Sequence, residues 1–377
     1  TNTLDLCEAI GNPQHQFKSI HVAGTNGKGS SSHMLAAILQ SAGYKVGLYT
    51  SPHLKSFTER VRIDGKAIPE PEVVDFVNHN KPHIDRIRPS FFEMTVAMAF
   101  DHFAKEKVDI AVIEVGLGGR LDSTNIITPE VSLITNIGFD HMDMLGDTLP
   151  QIAFEKGGVI KPGVPVVISE KHPQTSPVFE KIALEKESAL TYASDLEIIP
   201  ETDLQGEYQK KNVCGVLEVI ATLRQSNWAI SDDDITSGLS QITQLTGLKG
   251  RWQVLKKTPL TVCDTGHNKE AFNFILDQID NADKADTHMV LGFVEDKNVI
   301  DLLKLIPAGT SITFCQSSVP RAMKLENVKT IAEGLGIQAN YILDINEAIK
   351  SVTTKANADD FIFIGGSTFV VAEINGL

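Results

Sequence analysis

A glycine-rich segment at residues 21–30, with the sequence HVAGTNGKGS, carries the clearest chemical signal in the chain. It follows a short β-branched run and precedes an amphipathic stretch, which predicts a strand, a turn and a helix in that order. In such a turn, backbone N–H groups surround phosphates, a lysine neutralises the outer oxygens and a hydroxyl binds Mg²⁺. We therefore predict an ATP-binding loop made of Gly24, Thr25, Asn26, Gly27, Lys28, Gly29 and Ser30, with Ser30 as a metal ligand.

The spacing of this segment differs from the standard phosphate-loop pattern, because Gly24 is closer to Lys28 and Gly29 separates Lys28 from Ser30. The alternative is an ordinary strand-to-helix turn that contains glycines. Lys28 and Ser30 stand where a strong helical pattern begins, and this placement favours nucleotide binding. A second glycine cluster at residues 116–120 lacks the third glycine of a dinucleotide fingerprint, and no convincing helix follows it. A nicotinamide or flavin site is therefore disfavoured.

Three further polar side chains follow predicted strands and are candidate metal ligands. Ser51 and His141 each come after an apolar run, and Glu114 lies near the end of another. In open α/β sheets, ligands bind at the carboxyl ends of the strands. A hydroxyl, a carboxylate and an imidazole together suit a divalent ion shared with nucleotide phosphates. A lone loop histidine or a lone glutamate is more often structural, so the prediction rests on their common placement.

The elements that must position these residues alternate between short apolar runs and amphipathic stretches. Strands are predicted at residues 19–23, 46–50, 108–115, 131–135, 164–168, 260–263, 288–292, 311–315 and 361–364. Several are apolar at consecutive positions, as expected for strands covered on both faces. This alternation predicts an α/β protein with a mostly parallel, doubly wound sheet. The glycine-containing segment 246–250 is the predicted linker between domains at 1–246 and 247–377.

Composition excludes several other classes of protein. The 377 residues carry a formal net charge of −14, which disfavours nucleic acid as a partner. The four cysteines are far apart and include no C-x-x-C pair, which predicts reduced thiols and not a zinc site. Neither a membrane span nor a signal peptide is indicated, so we expect a cytoplasmic protein. Because the sequence does not begin with methionine, we also expect that a segment precedes it.

Several motifs together resemble one family. They are the loop at 21–30, TSPHL at 50–54, FTER at 57–60, EVGLGGRLD at 114–122, DH at 140–141, EK at 155–156, YQKKN at 208–212, GRW at 250–252, DTGHN at 264–268 and GGS at 365–367. In this order they closely resemble folylpolyglutamate synthase and the bifunctional dihydrofolate synthase of the Mur ligase superfamily. The resemblance covers essentially the whole chain. It implies an N-terminal P-loop ATPase domain of the Mur ligase central type and a smaller, Rossmann-like glutamate ligase domain.

The resemblance also implies an activity and a set of site residues. In this family, ATP phosphorylates the carboxylate of a pteroate or folate, and the amino group of L-glutamate attacks the acyl phosphate. Ser51, Glu114 and His141 would serve two magnesium ions, and Lys156 would be carbamylated and act as a metal ligand. Carried over by position, the remaining ATP contacts are Asn212, Arg251, Asp264 and His267. Substrate contacts are expected from the folate loop, with Pro52, His53, Leu54 and Arg60, and from Phe91 and Phe92, although core packing explains either phenylalanine equally well.

Two other functions remain open from the sequence. One is a sister Mur ligase that acts on a cell-wall nucleotide precursor, and the other is a nucleotide-dependent switch without ligase turnover. The aromatic pair at residues 91–92 and the run at 51–54 favour folate, since a flat pterin needs apolar walls. We expect a bifunctional enzyme and a monomer. The stretch at 193–206 is short for the family, which leaves the domain edge open.

Overall fold

The computed structural model describes residues 1–193, 199–295 and 298–377, which form two compact units. The first unit contains Thr1–Asp203 and Gln209–Leu248, and the second contains Leu204–Tyr208 and Lys249–Leu377. Residues 194–198, part of the stretch that is short for the family, lie outside the described residues. The short segment Leu204–Tyr208 therefore belongs to the second unit, although the sequence on both sides of it belongs to the first.

The first unit is built on eight strands among the described residues. They are β1 Lys18–Ala23, β2 Val46–Tyr49, β3 Val61–Ile63, β4 Lys66–Ala67, β5 Ile110–Glu114, β6 Val131–Ile134, β7 Val166–Ile168 and β8 Leu190–Tyr192. Its helices are α1 Asn2–Ala9, α2 Lys28–Ser41, α3 Glu70–Ile87, α4 Phe91–Lys105, α5 Met142–Leu145, α6 Leu149–Gly157, α7 Ser176–Glu185, α8 Gln209–Gln225, α9 Asp232–Ser240 and α10 Ile242–Thr246.

These strands form one sheet in the order β4-β3-β2-β5-β1-β6-β7-β8. All neighbours from β2 to β8 are parallel, and β3 and β4 are antiparallel additions at one edge. Strand β1 lies between β5 and β6, so the loop that follows β1 is flanked by the carboxyl ends of both neighbours. This sheet order brings the predicted phosphate loop beside Glu114 and beside the segment that follows β6.

Helix α2 is the central helix of the first unit. Its residues from Ser30 to Leu39 are all buried, because α2 packs against the sheet and against α8, α9 and α10. Gly238 of α9 permits a close approach, since a Cβ there would lie 2.6 Å from the backbone of Ile38. The helix ends before Gly43, whose φ of 86° is left-handed, a conformation that glycine adopts readily after a helix.

The second unit is a smaller α/β layer structure. Its strands are β9 Gln253–Lys257, β10 Leu260–Cys263, β11 Thr287–Leu291, β12 Ser311–Phe314, β13 Ala339–Tyr341 and β14 Phe361–Gly365. Its helices are α11 Lys269–Asp280, α12 Val299–Leu303, α13 Leu325–Gly334, α14 Ile345–Lys355 and α15 Thr368–Ala372. The sheet order is β13-β12-β11-β14-β10-β9, and only the edge strand β9 is antiparallel. Its own core includes Phe272, Phe314 and Phe363, each fully buried.

The predicted two-domain α/β fold with a mostly parallel sheet is confirmed. All nine predicted strands are present, with ends that differ by no more than two residues. The sequence did not predict β3, β4, β8, β9 and β13, which are short strands at or near the sheet edges, where polar residues hide the apolar signal. Thr246, the first residue of the predicted linker, is the buried last residue of α10, and its hydroxyl donates to the Ile242 carbonyl.

Among the described residues, no helix is both long enough and apolar enough to cross a membrane.

Candidate active site

The loop at residues 24–30 joins the end of β1 to the start of α2. Two glycines in it have left-handed backbone conformations, with φ of 147° at Gly24 and 84° at Gly27. A Cβ at Gly24 would overlap the Thr135 hydroxyl, and a Cβ at Gly27 would overlap the side-chain oxygen of Asn212. Both positions therefore require glycine for conformation and for space.

Two residues that follow β6 hold this loop in place. The Thr25 amide donates to the Asn136 carbonyl at 2.9 Å, and the Asn26 amide donates to Asn136 Oδ1 at 2.8 Å. The Thr135 hydroxyl donates to the Asn26 carbonyl at 2.6 Å. No motif singles out Thr135 and Asn136 as functional residues, although their position after an apolar strand places them at the same sheet edge as Glu114.

Two lysine amines meet on one backbone carbonyl of the loop. Lys28 Nζ donates to the carbonyls of Gly24 and Thr25 at 3.0 and 3.1 Å, and Lys156 Nζ donates to the same Gly24 carbonyl at 2.8 Å. Lys156 is only 4% exposed. Burial, and then the nearby charge of Lys28, lower the pKa of Lys156 to about 7. A substantial fraction of this amine is therefore neutral at physiological pH.

The buried serine of the loop is held from helix α8. Gln209 Nε2 donates to Ser30 Oγ at 3.1 Å, and Gln209 Oε1 accepts from Asn212 Nδ2 at 2.8 Å. Asn212 is a predicted ATP contact, whereas no role is predicted for Gln209. These three side chains and Gly27 form one connected group at the beginning of α2.

Apart from Lys156, the predicted metal ligands beyond the loop lie in two places. Glu114 is buried at the end of β5, and its Oε2 accepts from the Ser51 amide at 3.0 Å, so the structure brings Ser51 and Glu114 together. His141 precedes α5 with a left-handed φ of 51°, and its Nε2 is 3.9 Å from Asp140 Oδ2. Its side chain is 38% exposed.

The donors present fit magnesium that is shared with a nucleotide. Across the described parts of the chain, no group of three or more His, Cys, Asp and Glu side chains is arranged to hold a metal ion by itself. Magnesium beside phosphates needs only one or two protein oxygens, because phosphate oxygens and water complete its octahedron. The Ser30 hydroxyl and the Glu114 carboxylate are ligands of that kind. The chemistry of this donor set therefore suits a nucleotide-bound ion.

The loop after β2 gathers the predicted substrate-binding side chains. Pro52, His53 and Leu54 precede the one-turn helix Phe57–Arg60. Arg60 Nε donates to His53 Nδ1 at 2.8 Å, which identifies the neutral tautomer of His53 with its proton on Nε2. Burial, and then the charge of Arg60, lower the pKa of His53.

Phe91 and Phe92 have different surroundings. Phe91 is 56% exposed, and the Arg60 guanidinium lies 5.6 Å from its ring centre. The Phe92 ring packs against Gly116 and lies 6.3 Å from the ring of Tyr49. Packing explains Phe92 by itself, whereas the exposed Phe91 ring is available to a ligand.

The segment after Glu114 is held by a chain of hydrogen bonds that no sequence motif predicts. Asp122 accepts from the Leu117 amide at 2.8 Å and from the Thr124 amide at 2.9 Å. The Thr124 hydroxyl also donates to Asp122, so it accepts a hydrogen bond from His21 Nε2 at 2.9 Å. Burial lowers the pKa of His21 to about 3, so this histidine is neutral.

In the second unit, the predicted ATP contacts gather at the turn after β10. Asp264 is 3% exposed, and its carboxylate accepts from the Tyr208 hydroxyl and from the Trp252 and Gly266 amides, each at 2.7 Å. Arg251 donates to the Thr265 hydroxyl, and His267 Nδ1 donates to the Thr265 carbonyl at 3.0 Å. Asp264 thus organises the turn that carries His267, whatever else it contacts.

Two family models match the chain. The Mur ligase middle domain matches residues 22–226, and the Mur ligase glutamate ligase domain matches residues 250–368. The first match alone covers more than half of the chain.

One similar sequence and two similar solved structures are folylpolyglutamate or dihydrofolate synthases. The dihydrofolate synthase/folylpolyglutamate synthase of Bacillus subtilis is 30% identical over 402 aligned positions, which cover 98% of this chain and 92% of the relative. The Yersinia pestis bifunctional folylpolyglutamate synthase/dihydrofolate synthase with Mn, AMPPNP and L-glutamate bound has a TM-score of 0.86 at 30% identity, covering 98% and 92% of the two chains. Escherichia coli FolC in complex with DHPP and ADP has a TM-score of 0.83 at 28% identity, covering 98% and 90%. The chain therefore belongs to the folylpolyglutamate synthase/dihydrofolate synthase family of Mur ligases.

Proposed function

We propose that this protein is an ATP-dependent ligase that adds L-glutamate to dihydropteroate, to a folate, or to both. The observation that carries the proposal is the loop at residues 24–30, on which the amines of Lys28 and Lys156 converge at the Gly24 carbonyl. Relatives that match nearly the whole chain support the same chemistry here. The Bacillus subtilis relative is named as a dihydrofolate synthase/folylpolyglutamate synthase, and the two solved structures contain DHPP with ADP, or AMPPNP with L-glutamate.

The proposed reaction has two steps. A substrate carboxylate oxygen first attacks the γ-phosphorus of ATP, and ADP leaves. The amino nitrogen of glutamate then attacks the carbonyl carbon of the acyl phosphate, phosphate leaves and the nitrogen loses a proton. Phosphorylation is needed because a carboxylate oxygen is a poor leaving group at neutral pH.

The residues of the loop would oppose the repulsion among three anions: the substrate carboxylate, the γ-phosphate and glutamate. Lys28 now donates to two loop carbonyls, and we expect it to exchange these for phosphate oxygens. Two bound magnesium ions would offset phosphate charge, with Ser30, Ser51, Glu114, His141 and Lys156 as the proposed ligands. In the second unit, Arg251, Asp264 and His267 remain proposed ATP contacts.

A carbamylated Lys156 is part of the proposal. An ammonium repels a metal ion, whereas a lysine carbamate offers an anionic oxygen. The amine is buried and close to Lys28, and both features favour its neutral, CO₂-reactive form.

The alternative of a cell-wall precursor ligase is not favoured, because the relatives that match along the chain are folate ligases. The proposed domains remain residues 1–246 for ATP binding and 247–377 for the glutamate ligase domain. A monomeric state, a cytoplasmic location and the presence of both activities also stay predictions.

The test is glutamate-dependent ADP release, measured with dihydropteroate and tetrahydrofolate offered separately. Release with either acceptor supports the ligase, and release with both supports a bifunctional enzyme. Reactions without glutamate or without the acceptor are the controls. ADP release that is independent of glutamate with both acceptors, and without an amide product by mass spectrometry, would refute the proposal.

A further inference from the structure

Gln209 is the first residue of α8 and one of the most deeply buried polar side chains in the first unit, at 1% exposure. Both ends of its amide are used. Its Oε1 accepts from Asn212 Nδ2 at 2.8 Å, and its Nε2 donates to Ser30 Oγ at 3.1 Å. Burial of an amide is costly unless its groups are hydrogen-bonded, so these two contacts fix the side chain.

The orientation of the amide determines what remains available on Ser30. Because Asn212 donates to the oxygen of Gln209, the nitrogen of Gln209 must face Ser30. The Ser30 hydroxyl then accepts one hydrogen bond and keeps a second lone pair and its own proton. A neutral hydroxyl that must bind a cation gains from such fixing, because it would otherwise rotate about its C–O bond.

We propose that Gln209 is a positioning residue that orients the Ser30 hydroxyl as a magnesium ligand, and that Asn212 fixes Gln209 in the required orientation. This inference rests on the proposed function, in which Ser30 is a ligand to nucleotide-bound magnesium. Groups that hydrogen-bond to a metal ligand typically change metal affinity about 10–100-fold when they are removed. Gln209 would therefore act on metal-dependent binding and leave metal-free nucleotide binding nearly unchanged.

The experiment uses the full chain and a non-hydrolysable ATP analogue, with affinity measured by calorimetry in magnesium and in EDTA. The ratio of the two affinities is the gain due to magnesium. Gln209→Met keeps the side-chain length and removes the hydrogen bond, and we expect it to reduce this gain about tenfold or more. Gln225→Met, at the exposed end of the same helix, is the matched control and should keep the full gain.

A double variant separates this inference from the proposed function. Ser30→Ala should lose the gain, and adding Gln209→Met to it should cause no further loss, because Gln209 acts through Ser30. If Ser30→Ala keeps the full gain, the metal role of Ser30 in the proposed function fails. If Ser30→Ala loses the gain and Gln209→Met keeps it, only the positioning role is overturned.

A general structural role predicts a different result. In that case Gln209→Met would weaken binding equally in magnesium and in EDTA, which would also overturn the inference. If Gln209→Met does not fold, Gln209→Glu keeps the shape and can still accept from Asn212. A carboxylate has no N–H, so Ser30 must donate its own proton and turn its hydroxyl. We expect a reduced gain in this variant too, and an unchanged gain would contradict the proposal.

Discussion

At the scale of single residues, the Gly24 carbonyl receives hydrogen bonds from both Lys28 and Lys156. Two amines at one oxygen repel each other, so one of them is favoured in its neutral form. Lys156 is the buried partner, and its pKa falls to about 7, whereas an ordinary lysine has a pKa near 10.5. The two lysines therefore differ in their expected roles: Lys28 as a cation and Lys156 as a neutral amine that CO₂ can modify.

Replacing Lys28 with Ala should lower turnover about 100-fold or more, because a well-placed charge on transferring phosphate is typically worth ~3 kcal/mol. The fold should survive, since the side chain donates to the Gly24 and Thr25 carbonyls of its own loop, which are not part of the apolar core. Steady-state ADP release and a thermal melt measure the two effects. Lys181→Ala, an exposed lysine on α7, is the control. If Lys28→Ala is folded and has near wild-type turnover, Lys28 does not bind the transferring phosphate as proposed.

Lys156→Ala should be nearly inactive and should recover partly when a small carboxylate is added, because the carboxylate replaces the anionic oxygen of the carbamate. At pH 7, about half of a lysine with a pKa of about 7 is neutral, and only that form adds CO₂. ¹³C NMR of the protein in labelled bicarbonate should show a carbamate signal that Lys156→Ala lacks.

Lys161 provides the matched control for this prediction. Burial lowers its pKa too, but its amine donates to the Asn125 carbonyl. Lys161→Ala should keep the carbamate signal. An active Lys156→Ala enzyme, together with a plain ammonium at Lys156 in a metal-loaded structure, would show that the carbamate assignment is wrong.

At the scale of elements, β1 and the segment after β5 are joined by the bond from His21 to Thr124 and by the bond from Thr124 to Asp122. His21 is fully buried, and burial is the main reason why its pKa falls from 6.5 to about 3. Burial favours the neutral ring, in which the proton that forms this bond lies on Nε2, and a charged ring would be costly at this buried site. The connection between these two elements is therefore sensitive to acid.

Because of His21, the free energy of unfolding should decrease as the pH decreases. Between pH 6.5 and about 3, His21 is protonated in the unfolded chain and neutral in the folded one, so the unfolded state binds more protons. The contribution is fully present above pH 6.5 and is lost as the pH falls towards 3. His21→Gln keeps an N–H donor without titrating, so urea unfolding should show a shallower slope, by up to about 1.4 kcal/mol per pH unit.

The control for this measurement is His79→Gln, which changes an exposed histidine of α3 and should keep the wild-type slope. An equal slope in the wild type and His21→Gln would mean that other groups govern the acid sensitivity of the first unit.

At the scale of the whole molecule, each unit has its own buried core, while Leu204–Tyr208 belongs to the second unit and sits between residues of the first. Gln278 binds two residues of this segment, because it donates to the Gln205 carbonyl and accepts from the Glu207 amide, each at 3.0 Å. The Tyr208 hydroxyl bonds to Asp264. The chain thus passes between the units more than once.

A fragment that ends near Thr246 should bind ATP weakly and make no ligation product. It keeps the phosphate loop but lacks Arg251, Asp264 and His267, the proposed ATP contacts of the second unit. Calorimetry with an ATP analogue and the ligation assay measure both effects, and a cooperative melt of the fragment shows whether its fold is intact. Ligation by a folded fragment alone would show that the second unit is not needed for catalysis.

The sequence by itself determined the elements whose signals are local. The strand, glycine-rich turn and helix around residues 18–41 were predicted because glycine conformation and apolar periodicity act over a few neighbouring residues. The first turn of α9 depends on local signals of the same kind, since three aspartates follow the capping Ser231. The buried parallel strands were also predicted, since consecutive apolar residues need cover on both faces.

Only the tertiary structure decided which distant residues meet. Gln209 and Ser30 are 179 positions apart, and Asn136 and Asn26 are 110 apart, so no short-range pattern links them. The sequence pattern also does not predict that Leu204–Tyr208 belongs to the second unit, because this depends on the contacts of Gln278 and Asp264 and not on composition. Such contacts arise when whole helices and strands pack together. The spacing of apolar residues, every two in a strand or every 3.6 in a helix, predicts which face an element buries but not which element covers it.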